Sequence, residues 1–221
     1  FKNMILKYLS TFSLLCFITS CAQIVAPTGG TRDTTPPKVI TQKSTPNFQT
    51  QFKPKSISLT FDEWIKLDDA FNQVVISPPL SKKPKVELRG RTVVLTFAAD
   101  EVLRDDATYT INFGNAVKDL NESNPAKDLR FVFSTGAVID SLRVTAKVTD
   151  ALLGSPEEGI TVMLYDNFAD SVVRRSRPFY FGKTDKAGIA VIENVREGRF
   201  KVFALKDADA NYFYNQETEK I

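Results

Sequence analysis

Short runs in which every second residue is apolar set the tightest limit on what this chain can fold into. Ile57, Leu59 and Phe61 alternate with polar neighbours, as do Val93, Leu95 and Phe97, then Tyr109, Ile111 and Phe113, and finally Phe131 and Phe133. A period of two puts such residues on one face of a strand, and the turn residues between the runs have the spacing of an all-β sandwich. Phe71–Ser77 and Lys85–Arg89 read as further strands, with Gly90 where a hairpin must turn. A second β series opens at Ser141 and continues through Gly159–Tyr165, Pro178–Thr184, Ile189–Glu193 and Arg199–Leu205. No stretch of useful length has a helical period. The expected architecture is all-β, with two tandem β-sandwiches, over residues 36–137 and 138–221.

The segment before them reads as an address. A basic start is followed by an apolar stretch from Ile5 to Thr19, broken only by Lys7, and then by Ile18-Thr19-Ser20-Cys21. This is the pattern of a secretory signal over residues 1–20, and it is shorter than the roughly 20 apolar residues a membrane span needs. Residues 22–35, with Gly29-Gly30 and no periodicity, read as a polar tether. Fourteen such residues average about 20 Å end to end as a flexible coil. The sequence begins at Phe1 and stops soon after Leu205, so a fragment of a longer reading frame is expected.

Ile18-Thr19-Ser20-Cys21 resembles the lipobox of bacterial lipoproteins, which implies cleavage before Cys21 and acylation of that residue. Cys16 would leave with the signal, and the mature chain over 21–221 would hold no free thiol once Cys21 is lipidated. Ala22, where an acidic residue would retain a lipoprotein at the inner membrane, resembles the outer-membrane pattern. Acyl chains would hold the protein durably, because each buried methylene contributes about 0.8 kcal/mol.

Two further resemblances come from the β series. Leu103-Arg104-Asp105-Asp106-Ala107-Thr108-Tyr109 has the spacing of a tyrosine corner, in which the Tyr hydroxyl bonds back to the upstream backbone. With Thr35-Pro36-Pro37, Phe61-Asp62-Glu63, the Asp119–Glu122 loop and Phe131–Gly136, it resembles the bacterial Ig-like domain of envelope proteins. Glu122 stands where that family often has glycine. The second series resembles the prealbumin-like sandwich of carboxypeptidase regulatory-like domains, through Val148-Thr149-Asp150-Ala151, Gly159-Ile160-Thr161-Val162, Thr184-Asp185-Lys186-Ala187-Gly188 and Glu197-Gly198-Arg199-Phe200. That resemblance implies a spacer or docking module without peptidase chemistry.

Composition narrows the chemistry. The 221 residues contain no histidine, which removes Ser-His-Asp and Cys-His catalysis and the HExxH zinc helix from this stretch of chain. The formal charge of +3 falls to +1 without Lys2 and Lys7, leaving no polybasic face for nucleic acid. Asp62-Glu63, Asp68-Asp69, Asp105-Asp106 and Glu157-Glu158 are adjacent carboxylates in turns, unlike the facing pairs of glycosidases. Gly182-Lys183-Thr184 ends like a P-loop, but Arg177 occupies the position of its first glycine.

The remaining candidates are few. Asp207, Asp209 and Asn211 have the alternating oxygen spacing of a calcium loop, although Tyr212 and Thr218 replace its glycine and its last glutamate. Solvated turn carboxylates are the favoured reading, and any calcium there would be structural; no other cofactor is expected. Trp64, the sole tryptophan, is a candidate binding aromatic, weighed against packing in the core. Asp33-Thr34, Asp140-Ser141 and Asp170-Ser171, each followed by Thr, Leu or Val, resemble an O-glycosylation signal at Thr34, Ser141 and Ser171. The expectation is a non-enzymatic envelope protein, lipid-anchored and most simply in the outer membrane. It would act as a structural or docking module for an envelope protein or glycan. The alternative is the accessory N-terminal region of a longer polysaccharide- or peptide-directed enzyme.

Overall fold

The structure, a computed structural model, describes residues 31–209 and 211–221. The signal segment, Cys21 and most of the tether lie outside them. Among the described residues, thirteen strands stand beside two four-residue helices and one 3-10 turn, so the all-β expectation holds. Thr34–Ile221 forms one compact unit.

The first sandwich contains β1 (Ser56–Thr60), β2 (Ile65–Leu67), β3 (Val75–Ser77), β4 (Lys85–Arg89), β5 (Thr92–Thr96), β6 (Thr108–Asn112), β7 (Val117–Asp119) and β8 (Arg130–Ser134). β1-β5-β4 form one antiparallel sheet, β3-β6-β8 another, and β2 pairs with β7. The period of two decides which side chains meet: Ile57, Leu59, Val93 and Leu95 from the first sheet join Ile76, Tyr109, Ile111, Phe131 and Phe133 from the second in one core. Phe133 stacks on Tyr109 at a centroid distance of 5.2 Å.

Phe71–Ser77 departs from the strand expected there. Ala70–Gln73 is a single helical turn, α1, started by Asp69 in the left-handed region at φ 45°, and only Val75–Ser77 is strand. Phe71 consequently stands 69 % exposed, with the Lys83 ammonium over its ring.

The second series supplies β9 (Leu142–Lys147), β10 (Thr161–Tyr165), β11 (Tyr180–Lys183), β12 (Ile189–Val195) and β13 (Lys201–Leu205), with the helical turn α2 at Val172–Arg175. Their sheets run β11-β10-β13 and β12-β9. β10 is buried at all five positions because both of its faces are covered. Val162 and Leu164 join the main core, while Met163 and Tyr165 pack with Val172, Val173, Phe181 and Leu205 under Tyr212 and Tyr214 of the C-terminal segment.

The two sandwiches meet where β11 approaches β3 and β12 approaches β6, on the sheet that also contains β8. Arg130–Ser134 alternates in sequence, yet all but Arg130 are buried. Phe131 and Phe133 face the first core; Val132 and Ser134 point to the opposite face of the β3-β6-β8 sheet, which β11 and β12 approach. That sheet is therefore covered on both sides.

Candidate functional site

The covered outer face of β3-β6-β8 is lined by hydroxyls, and these are matched by groups from the second series. The Phe181 amide donates to Ser77 Oγ at 3.2 Å, and the Asp140 amide to Thr108 Oγ1 at 2.8 Å. Thr110 Oγ1 donates to Asn194 Oδ1 at 3.0 Å, and Asn194 Nδ2 donates to the Asp140 carbonyl at 2.8 Å. Asn194 reaches both because it sits in a bulge of β12, between Ile192 and Val195, with φ at 57°. Glu193 pairs with Arg130 and, at 2.5 Å, with Arg143. Buried hydroxyls need such partners, since a stranded donor or acceptor costs about 1–3 kcal/mol.

A second set of contacts runs through Phe179. The guanidinium carbons of Arg104 and Arg196 lie 4.6 and 4.4 Å from the centre of its ring. Arg104 also donates from Nη2 to the Pro178 carbonyl at 3.1 Å. Its own amide donates to the Tyr109 hydroxyl at 2.8 Å, which is the tyrosine corner read from the spacing, with Leu103 packed against the core. Tyr180 repeats the device in the second series, accepting from the Arg196 amide at 3.2 Å. Burial pushes the Tyr180, Tyr165 and Tyr212 hydroxyls up to about 12, so all three serve as neutral packing groups.

Beside this joint lies a cleft of about 570 Å³, bordered by the amides of Gln73, Asn112 and Asn115 together with Lys183, Arg130 and Glu193. Gln73 Oε1 accepts from the Asn115 amide at 2.8 Å and Asn112 Oδ1 from the Gly114 amide at 2.9 Å. The cleft is thus built from hydrogen-bonding groups whose charges are largely balanced. Its one carboxylate from the second series, Glu193, is held between two guanidiniums.

The residues singled out from the sequence are dispersed. Trp64 is 62 % exposed, beside exposed Leu120, whose amide donates to the Trp64 carbonyl at 2.9 Å. Thr34 and Ser141 are exposed, and Ser171 is half-buried at the start of α2. Cys21 lies outside the described residues. Asp207 and Asp209 do come together, joined by Glu219, with carboxylate oxygens within 4.8 Å of one another. Glu219 is buried and directly follows Thr218, the twelfth position of the calcium-loop spacing. Burial raises the Asp207 carboxyl above its ordinary range, reinforced by Asp209 and opposed by the Tyr212 and Asn211 amides. Asn211 turns Oδ1 to the Phe213 amide at 2.7 Å and gives Nδ2 to Asp209 at 2.8 Å.

The junction groups do not stand out in the sequence. Their trace is the polar set Ser77, Thr108 and Thr110, in phase with one another and out of phase with the core residues. Such residues on a lone sandwich would face water.

Comparison with known proteins agrees with the first half of this architecture. Two solved structures show only distant likeness. The T6 backbone pilin of serotype M6 Streptococcus pyogenes aligns at 14% identity with TM-score 0.24, covering 67% of this chain and 42% of that one. The major pilin subunit of Bacillus cereus aligns at 12% identity with TM-score 0.24, covering 76% of this chain and 58% of that one. This chain therefore spans about half the length of either pilin. No curated protein matches it. Residues 33–135 match the family model described as bacterial Ig-like domain, which is the region that holds all eight strands of the first sandwich.

Proposed function

We propose that the chain is a lipid-anchored envelope protein of the outer membrane that acts without catalysis, as a spacer and docking module for an envelope protein or glycan. Acylated Cys21 fixes it, residues 22–35 give reach, and the bacterial Ig-like domain with the prealbumin-like second sandwich presents loops and edges at a set distance. The observation that carries this reading is the doubly covered β3-β6-β8 sheet. It makes Thr34–Ile221 one compact unit, and a positional function needs its two halves to move together. The lack of histidine and the engagement of Glu193 by Arg130 and Arg143 support a role without chemistry.

The test is affinity capture of the full-length protein from its own cell membranes, beside a Cys21→Ala control. A discrete set of envelope components that co-purifies with the native protein and disappears in the control is the expected result. Recovery of the anchored protein alone would remove the docking role.

A further inference from the structure

The end of the first sandwich where the chain enters carries the protein's single tryptophan on its surface. Lys38 and Asp62 exchange two hydrogen bonds: the Asp62 amide donates to the Lys38 carbonyl at 3.0 Å and the Lys38 amide to Asp62 Oδ1 at 2.9 Å. Val39 bridges Phe61. Trp64 follows two residues after Asp62, whose partner Lys38 is only four residues from the start of the unit at Thr34.

Trp64 and Leu120 are 62 % and 50 % exposed and are tied to each other by the Leu120 amide. The loop that presents Leu120 is not loose. Asp119 is buried and accepts from the amides of Glu122, Ser123 and Asn124 at 2.6, 3.1 and 2.7 Å, with Ser123 taking the left-handed conformation at φ 67°. Lys66 Nζ holds the same loop through the Leu120 carbonyl at 3.2 Å and Ser123 Oγ at 2.7 Å. Two apolar side chains are therefore held out to solvent by a fixed frame.

The charges around this tip balance. Lys38, Lys66 and Arg91, which donates to the Asp62 carbonyl at 2.7 Å, stand with Asp62, Glu63 and Glu122 at the surface, and the further carboxylate, Asp119, is buried under the amides of its own loop. A strongly anionic surface would gain little from such a set, whereas a zwitterionic one meets both signs. Tryptophan is the side chain that most favours the boundary between headgroups and acyl chains, where its ring is buried and its N–H remains hydrated. Read from sequence as a flexible coil, the fourteen residues from Ala22 to Thr35 would average about 20 Å end to end, so an anchor at Cys21 would keep this end of the sandwich within contact distance of a bilayer.

We propose that the Trp64–Leu120 tip is a membrane-contact surface, seating on the zwitterionic phospholipid headgroups of the bilayer that anchors the chain. This rests on the lipid-anchor reading and adds to it a second attachment. The anchor limits distance, and the tip sets orientation, turning a swivelling tether into a two-point mount.

The sequence provides its own probe. A chain beginning at Cys21 contains one thiol and one tryptophan, because the other cysteine is Cys16. Coupling Cys21 to maleimide-bearing lipid in phosphatidylethanolamine/phosphatidylcholine vesicles supplies the anchor chemically, whatever happens in the cell. The expected result is a blue shift of Trp64 emission relative to the uncoupled protein, and quenching by lipids brominated on the upper acyl chain. Leu120→Ser should weaken that quenching by about twofold or more, while leaving the uncoupled spectrum unchanged. Identical spectra before and after coupling, without bromine quenching, would overturn the proposal and leave the tip to a protein or sugar partner. Quenching seen only with phosphatidylglycerol vesicles would overturn it as well, since charge would then be the attraction. Mass analysis of the Cys21 peptide from native membranes tests the anchor separately: an unmodified Cys21 would refute that reading without touching the vesicle result.

Discussion

Burial is the largest single influence on the Asp119 carboxyl, and the backbone amides that converge on it together outweigh it. Burial alone would raise its carboxyl, but the amides of Asn124, Glu122 and Ser123, with a further contribution from Asn121, hold it below the ordinary carboxylate range. A folded-state value depressed in this way gives stability that is complete above the unfolded value of about 3.9 and is lost as pH falls through the folded one. Asp119→Asn should therefore be less stable than the native protein at neutral pH, with the difference shrinking as pH falls below about 4. Urea melts at a series of pH values measure that difference directly; a gap independent of pH would show that the carboxylate's charge is immaterial. The same residue shows how far a sequence can be read. The Asp119 loop is recognisable from Asp119-Leu120-Asn121-Glu122, but the left-handed residue is Ser123 rather than the position occupied by Glu122. Spacing identifies the loop but not which of its residues takes the left-handed conformation.

Turns and strands differ in how much of themselves they write into the sequence. Gly90 is readable as a hairpin turn and Asp185–Gly188 as a turn between strands, and both glycines lie in the left-handed region, at φ 61° and 73°. Their surroundings are unlike. A Cβ on Gly90 would meet open space, but one on Gly188 would lie 2.5 Å from the Val148 carbonyl oxygen and 3.1 Å from Pro156 Cβ. Gly90→Ala should cost only its backbone strain, about 1–2 kcal/mol, and Gly188→Ala about twice that or more, because the carbonyl is part of the β9–β10 connection and cannot swing aside. Equal shifts in denaturant midpoint for the two variants would show that the crowding at Gly188 relaxes freely. β2, β7 and α1 are not legible, and the reason is length. At three or four residues, alternation has too few repeats to separate from chance, and Phe71–Ser77 looks like strand throughout although its first half coils. Long-range pairing, Ile65 with Asp119 and Leu67 with Val117, makes those strands.

At the scale of the whole molecule, the joint between sandwiches decides whether the chain behaves as one body or two. The two β series can be read from the sequence, but the joint cannot. Ser77, Thr108 and Thr110 are what a solvated sheet face would carry, and it is the second series, through Phe181, Asp140 and Asn194, that turns them into contacts at the joint. Asn194 is the residue on which most of this depends, bonding to Thr110 and Asp140 from a left-handed bulge position. Asn194→Ala loses both bonds and adds backbone strain; Asn194→Gly loses the bonds alone, so comparing the two separates joint from strain. The native protein should unfold in one calorimetric transition. Asn194→Ala should broaden or split it, with a loss of about 1–3 kcal/mol, and the glycine variant should recover only the strain. Limited proteolysis gives an independent reading, because Ala137 and Val138 in the connection between the sandwiches are already exposed and should be cut faster as the joint loosens. A native protein that melts in two separate steps would mean that the shared face does not couple its halves. The distance from membrane to docking loops would then not be fixed, and a spacer role would lose its physical basis.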